Sequence, residues 1–291
     1  MRRSVSIVGA GRIGKALAAG LRKRGWRIGA VVTRSRAKSR NAVRAIGGGS
    51  PYEGLTPHIF ECDVILLTTP DSVLAPVARS LATIGKDACC GKIFLHVSGA
   101  LSGSILAPLA RFGAITGSMH PMQTFTGRGA PDLKGIIFAV EGAPQARRAA
   151  QAISRSLGGI SITVDTPDKP AYHAAGALVA GHALALVEAA TEILTGLGFP
   201  RRRAVQTLLP LMRQMLDNFQ EFGPAASWTG PLARGDYSTV AKHVKALRKY
   251  PPELGQSYTA LARLAARVLS QDPRIQLREL NRIVRLPRGK S

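Results

Sequence analysis

Three glycines in "SIVGAGRIGKALAAGL", at Gly9, Gly11 and Gly14, constrain this chain more than any other feature. Their spacing is G-x-G-x-x-G. Before them, "SVSIVG" alternates and then runs apolar, as a buried strand does; after them, residues 12 to 25 read as a helix closed by Gly25. A glycine turn between a buried strand and a helix is the setting in which this spacing holds a dinucleotide. Gly9 would permit the tight turn and Gly11 would let the backbone approach a pyrophosphate. Gly14 would allow close helix–strand packing, with Ala10, Arg12 and Ile13 completing the turn. The free N–H groups of the helix start would then face the phosphates. Without a ligand, the same residues make only a tight turn.

The pattern continues in kind. "WRIGAVVTRS", "CDVILLTTP", "GKIFLHVSG", "AITGSMHP", "GIIFAVEG" and "SITVD" read as strands. Helical stretches such as "DSVLAPVARSLATIG", "GSILAPLARFG" and "APQARRAAQAISRSLG" lie between them. Strands alternating with helices predict a doubly wound, mostly parallel sheet. After Asp165 the strands stop. Residues 170 to 196, 201 to 221, 236 to 249 and 253 to 270 read as helices. The expectation is an α/β N-terminal domain over residues 1–165 and an all-α C-terminal domain over 166–291, joined at "DTPDKP".

Lys plus Arg number 40 and Asp plus Glu 17, a net charge of +23. The basic residues are spread along the chain, with small clusters at Arg201–Arg203 and in the tail "RIVRLPRGKS". Aromatics make up only 5%, too few for stacking against single strands, so nucleic acid is not the expected partner. A positive field that draws in an anionic cofactor and a small anionic substrate fits better. Cys62, Cys89 and Cys90 show no metal spacing and no C-x-x-C, which points to free thiols in a reducing, cytoplasmic setting and to no metal. The start "MRRSVSIVG" has no apolar signal core. The run "AAGALVAGHALALVEAATEIL" contains His182 and Glu188 and reads as a buried helix rather than a membrane span.

An acidic residue at the end of the second strand would bind the ribose of NAD. Here "VVTRSRAKSR" has none and offers Thr33, Arg34, Ser35 and Arg36. A hydroxyl beside guanidinium groups suits a 2′-phosphate, so NADP is the expected cofactor. Ligands sit at the carboxyl ends of such sheets. Those ends carry Thr68, Thr69, Pro70 and Asp71, then His96, Ser98 and Gly99, then Ser118, His120 and Pro121. His120 reads equally as a proton donor or carboxylate ligand and as a structural histidine. His96 reads as structural, turned differently from Ser98. His58 and His243 read as surface residues.

The stretches "VGAGRIGKAL", "LLTTPDSVL", "HVSGALSGSIL", "HPMQTF", "DKPAYHAAGALVAGH" and "TGPLARGD" span residues 7 to 236. With them the chain resembles the superfamily of 6-phosphogluconate and β-hydroxyacid dehydrogenases, which includes ketopantoate reductases and pyrroline-5-carboxylate reductases. More closely, it resembles a bacterial family of Rossmann-like proteins with a C-terminal helical domain of unknown function. The resemblance implies an NADP-dependent oxidoreductase that reduces a small carbonyl such as the 2-keto acid ketopantoate, and, by analogy, a homodimer. It implies that Ser98 and Gly99 hold substrate. It also aligns Lys169 and His173 with a lysine and an asparagine, four residues apart, that carry the proton chemistry. Two departures stand out: His173 replaces the asparagine, and Pro170 follows Lys169 directly. Tyr172 reads as core, with a third polar group of the site as the alternative, and Thr229 and Arg234 as substrate or dimer contacts or as a structural connection beside Trp228. Two alternatives remain open: an NADP-binding sensor without turnover, and an imine reductase.

Overall fold

The computed structural model describes residues 3–129 and 131–284. The tail's basic residues Arg285, Arg288 and Lys290 lie outside that range. The described chain forms two compact units, Met1–Ala180 and Gly181–Ser291.

The first unit is built on eight strands: β1 (Ser4–Val8), β2 (Arg27–Thr33), β3 (Ser50–Glu53), β4 (Val64–Leu67), β5 (Ile93–His96), β6 (Ile115–Pro121), β7 (Ile137–Gly142) and β8 (Ile160–Thr163). They form one sheet in the order β3-β2-β1-β4-β5-β6-β7-β8. Every neighbouring pair is parallel except β6–β7. The order reverses between β1 and β4, so the carboxyl ends of those strands open a crevice. The helices are α1 (Arg12–Lys23), α2 (Arg36–Ile46), α3 (Asp71–Gly85), α4 (Ala107–Ala110), α5 (Pro144–Ser156) and α6 (Lys169–Ala177). Strand side chains alternate between faces, and the core divides accordingly. Leu17, Leu21, Ile46 and Ile153 pack with Val5, Ile7, Leu66 and Leu95 on one face. Leu74, Leu81, Leu106 and Leu109 pack with Val8, Ile65, Leu67 and Phe94 on the other.

Two elements of this unit carry little apolar signal. Helix α2, "RAKSRNAVRAI", buries only Ser39, Ala42 and Ile46, and strand β3 is the edge segment "SPYE". The expected helix over "GSILAPLARFG" is shorter, a 3-10 turn at Gly103–Leu106 leading into α4. The unit runs past "DTPDKP" to Ala180, because the first residue of α6, Lys169, is buried in it.

The second unit is helical: α7 (Ala183–Gly196), α8 (Arg201–Ser227), α9 (Tyr237–Ala246), α10 (Pro252–Leu269) and α11 (Pro273–Val284). A π-helical turn, Leu178–His182, precedes α7. Helix α8 is broken at Gly223, whose φ of +75° is left-handed. Among the described residues, the core of this unit centres on Val240, Ala266 and Leu280.

The apolar run before and through α7 is not a buried helix. Thr166–Gly196 is long and apolar enough to cross a membrane, yet only 6% of its apolar window is buried. Leu178, Val179 and Leu184 are exposed, as are Leu211, Leu216, Phe219 and Phe222 on α8. The stretch is apolar around its whole circumference, whereas one chain supplies neighbours for only part of it.

Candidate functional site

The opening turn is bent as its glycines require. Gly9 has φ +91°, and a Cβ there would lie 2.5 Å from Thr69 Cγ2 and 2.8 Å from the Thr69 backbone nitrogen. A Cβ on Gly14 would run into the Thr68 hydroxyl. That hydroxyl donates to the Gly9 carbonyl at 2.7 Å, so Thr68 braces the turn from β4. Gly11 caps α1 with no side-chain hydrogen bond, and the first turn of α1 holds no acidic residue. Gly11 and Arg12 are exposed. A positive helix end carrying Arg12, with its N–H groups open to solvent, favours an anion.

At the end of β2, the Thr33 hydroxyl donates to the Ser35 carbonyl at 2.8 Å. Ser35 Oγ accepts the Lys38 amide at 3.4 Å and caps α2. Both hydroxyls therefore shape the β2–α2 turn, while Arg34 and Arg36 stand exposed beside it. Thr69 Oγ1 is buried with no partner.

Beyond the crevice, sheet register does what sequence spacing cannot. Leu67 on β4 pairs with His96 on β5, His96 with Ser118 on β6, and Ser118 with Glu141 on β7. Paired residues share a face, so His96, Ser118 and Glu141 form a polar row across it. His120 lies two residues further on in β6, again on that face, and Ser98 follows the end of β5 by two residues. His96 is fully buried, and its Nδ1 accepts the Ser98 amide at 3.2 Å. It thus supports Ser98, contrary to the expectation that it turns away. Burial above all, and then the Lys169 charge, lowers its pKa to about 4.

Lys169 is 1% exposed. Its Nζ donates to Ser118 Oγ at 2.7 Å and to the Ser98 carbonyl at 3.4 Å, and lies 3.9 Å from Glu141 Oε2. Burial lowers its pKa, opposed by the Glu141 and Asp71 carboxylates. Glu141, which the sequence did not single out, accepts the Gly103 amide at 2.7 Å, Thr166 Oγ1 at 3.0 Å and Ser118 Oγ at 3.2 Å. Ser98 Oγ donates to Asp71 Oδ2 at 2.7 Å and accepts the Leu101 amide at 3.0 Å. The loop Ser98–Gly103 is therefore held at one end by Lys169 and His96 and at the other by Glu141.

Three aromatic rings converge above this row. His120 Nδ1 lies 3.4 Å from the Tyr172 hydroxyl. The His120 ring centroid is 5.6 Å from those of both Tyr172 and His173, each pair edge-on. A Cβ on Gly99 would lie 2.6 Å from His173 Cδ2 and 2.9 Å from His120 Nε2, so only glycine leaves room for the two imidazoles. Burial, and then His173 and Lys169, lower the His120 pKa to about 4, and burial raises that of Tyr172. At neutral pH His120 is a neutral imidazole and Tyr172 a phenol. Ser98, His120, Lys169 and His173 are brought into one neighbourhood, with Lys169 beneath and the rings above.

Other singled-out residues lie elsewhere. His58 contacts Glu61 at 2.6 Å and stacks on Tyr52. His243 is hydrogen-bonded to Tyr258 at 2.9 Å inside the helical unit and is no free surface group. Trp228, Thr229 and Arg234 belong to the second unit.

Residues 1–121 match the Rossmann-like domain and residues 136–265 match the domain of unknown function DUF2520. No curated relative matches the sequence. Among solved structures, BF3122, a candidate NADP oxidoreductase from Bacteroides fragilis, is 21% identical, with a TM-score of 0.74 over 89% of this chain and 96% of that one. TM1727 from Thermotoga maritima is 24% identical, with a TM-score of 0.68 over 91% of this chain and 97% of that one. A reductive aminase from Aspergillus terreus, solved with NADPH and ethyl levulinate, is 17% identical, with a TM-score of 0.66 over 96% of this chain and 99% of that one. At these identities the likeness is one of fold.

Proposed function

We propose that this chain, a Rossmann-like domain joined to a DUF2520 domain, is an NADP-dependent oxidoreductase that reduces a small carbonyl or imine substrate. The observation that carries the reading is the Gly9–Gly14 turn. It lies at the point where the strand order reverses, and it opens a helix that starts at exposed Gly11 and Arg12, has no side-chain cap and holds no acid in its first turn. Gly9, Ala10, Gly11, Arg12, Ile13 and Gly14 would hold the pyrophosphate, with Thr68, Thr69 and Pro70 beside it. Arg34, on the turn shaped by Thr33 and Ser35, would take the 2′-phosphate. When bound, NADPH supplies a hydride.

Ser98, His120 and His173 would face the substrate, with Lys169 behind Ser98. A small anionic 2-keto acid, ketopantoate first, suits the basic chain. An imine reductase is the second reading: structural neighbours include the Aspergillus terreus reductive aminase and a Streptomyces aurantiacus imine reductase. We further propose a cytoplasmic homodimer. A second copy would cover the apolar positions that α7 and α8 leave exposed, Leu184 and Leu186 on the one and Leu211, Leu216, Phe219 and Phe222 on the other. A membrane is the poorer occupant. The apolar stretch begins at Thr166 and Lys169, both bonded to the sheet unit, and its Glu188 pairs with Arg201 at 2.8 Å.

Calorimetric titration with NADPH and, separately, NADH tests the cofactor. NADPH should bind at least ~10-fold more tightly, and Arg34→Ala should remove most of that preference, since a hydrogen bond to a charged group is worth about 1.5–3 kcal/mol. Binding of neither nucleotide would sink the oxidoreductase reading.

A further inference from the structure

A residue that protonates a substrate must be able to reach it, and the Lys169 ammonium is enclosed by protein groups in this fold. It is buried, and its ammonium has three hydrogens. Ser118 Oγ, the Ser98 carbonyl and Glu141 Oε2 stand within 3.9 Å of it. Two of its hydrogens are donated to Ser118 Oγ and the Ser98 carbonyl, and its charge faces Glu141, without any substrate. What the arrangement does is mechanical. Lys169 ties the start of α6 to β6 and to the Ser98 carbonyl, and Glu141 ties β7 to the Gly103 amide at the far end of the same loop.

One turn further along α6, on the same helix face, stand Tyr172 and His173. They approach His120 over Gly99, where the absence of a side chain makes room for the two imidazoles. Tyr172 is half-buried rather than sealed, and among the described residues its hydroxyl meets His120 Nδ1. With the imidazole proton on Nδ1 donating to the phenol oxygen, the phenol's own proton is free to pass to an alkoxide.

We propose that Tyr172, hydrogen-bonded to His120, protonates the substrate oxygen, and that Lys169 with Glu141 is a positioning pair that sets the Ser98–Gly103 loop and the first turn of α6. This inference rests on the reductase reading. A hydride delivered to the carbonyl carbon would move the C=O π pair to oxygen. The Tyr172 O–H bond breaks and its proton forms the new O–H bond on the substrate. The phenolate then recovers a proton from His120 Nδ1, and solvent water returns a proton to Nδ1, restoring the starting tautomer and leaving hydroxide to the bulk. A preformed iminium needs no such donor, because its nitrogen already carries the proton.

The test compares Tyr172→Phe, Lys169→Met and the neutral pair Lys169→Met/Glu141→Gln, the last included in case an unpaired Glu141 prevents folding. NADPH binding, 15N spectra of the His120 ring, and turnover of a 2-keto acid and of a cyclic iminium are measured on the full chain. Tyr172→Phe should keep NADPH affinity and shift the His120 ring signals. It should lower kcat on the keto acid by roughly 10²–10⁴-fold, with less than about a tenfold effect on the iminium. The Lys169→Met/Glu141→Gln pair should raise KM while leaving the shape of the kcat–pH profile intact. Unmoved His120 signals in Tyr172→Phe, or wild-type keto-acid turnover by it, would overturn the proposal. So would loss of an ionisation from the pH profile in the Lys169 variants. Failure to bind NADPH at all would instead overturn the reductase reading. If neither probe substrate turns over, the ring spectra alone decide.

Discussion

Acid should destabilise the first unit through His96, by an amount its surroundings set. The ring is fully buried, and Nδ1 already accepts the Ser98 amide. Lys169, Glu141, Asp71 and the Ser102 backbone are the charged and polar groups that act on it. Burial and the lysine dominate, so the folded protein keeps His96 neutral down to about pH 4 against an ordinary 6.5. The unfolded chain has no such restraint and charges its histidine below about 6.5. Between those values the unfolded state binds the extra proton, so stability is full above the unfolded value and falls as the pH drops toward 4. At about 1.4 kcal/mol for each tenfold change in proton affinity, the loss amounts to about 3 kcal/mol. Urea unfolding followed by tryptophan fluorescence measures it. The chain has two tryptophans, and Trp228→Phe leaves the buried Trp26 as reporter of the first unit. His96→Asn is the control, since its amide oxygen can take the Ser98 N–H but does not titrate. Between pH 7.5 and 4, the protein with His96 intact should lose about 3 kcal/mol more than the His96→Asn variant. His120 is present in both, so its own contribution cancels. Parallel stability curves would refute the reasoning and mean that His96 is solvated or already charged when folded.

Two further outcomes follow from the geometry. Gly99→Ala places a methyl group 2.6 Å from His173 Cδ2 and 2.9 Å from His120 Nε2. It should cost only about 1–2 kcal/mol of stability, because ring ends can move, yet lower kcat/KM at least tenfold; unchanged kinetics in the Gly99→Ala variant would show that the imidazoles need not converge. Light scattering after gel filtration should give about twice the 30.8 kDa chain mass. Leu216→Glu with Phe219→Glu, on exposed apolar positions of α8, should shift the protein to monomer or unfold its second unit, whereas a wild-type monomer with a cooperatively folded second unit would exclude the second copy as the occupant.

The parts of this chain that were legible in its sequence are those in which neighbours along the chain do the work. The β1 turn, α1 and the apolar cores of β4, β5 and β7 announce themselves as runs with local period. Helix α2 and β3 do not, because one buries three small or isolated positions and the other is a four-residue edge strand containing Pro51. The site divides the same way. The four-residue spacing of Lys169 and His173 is visible at once, and so are the polar strand ends at Ser98 and His120. The role of Lys169 is not visible, because it depends on Ser118 and Glu141, which become neighbours only when β6 and β7 pair antiparallel. Glu141 in "FAVEG" carries one cue, a lone acid in an otherwise apolar strand, and a buried charge demands a partner. That partner is Lys169, the one lysine among the buried residues described. Once the two are joined, the residue that spacing nominates as the acid becomes, on the proposal above, a strut. In the proposed mechanism the proton-bearing group then comes from the next turn of the helix, where Tyr172 meets His120.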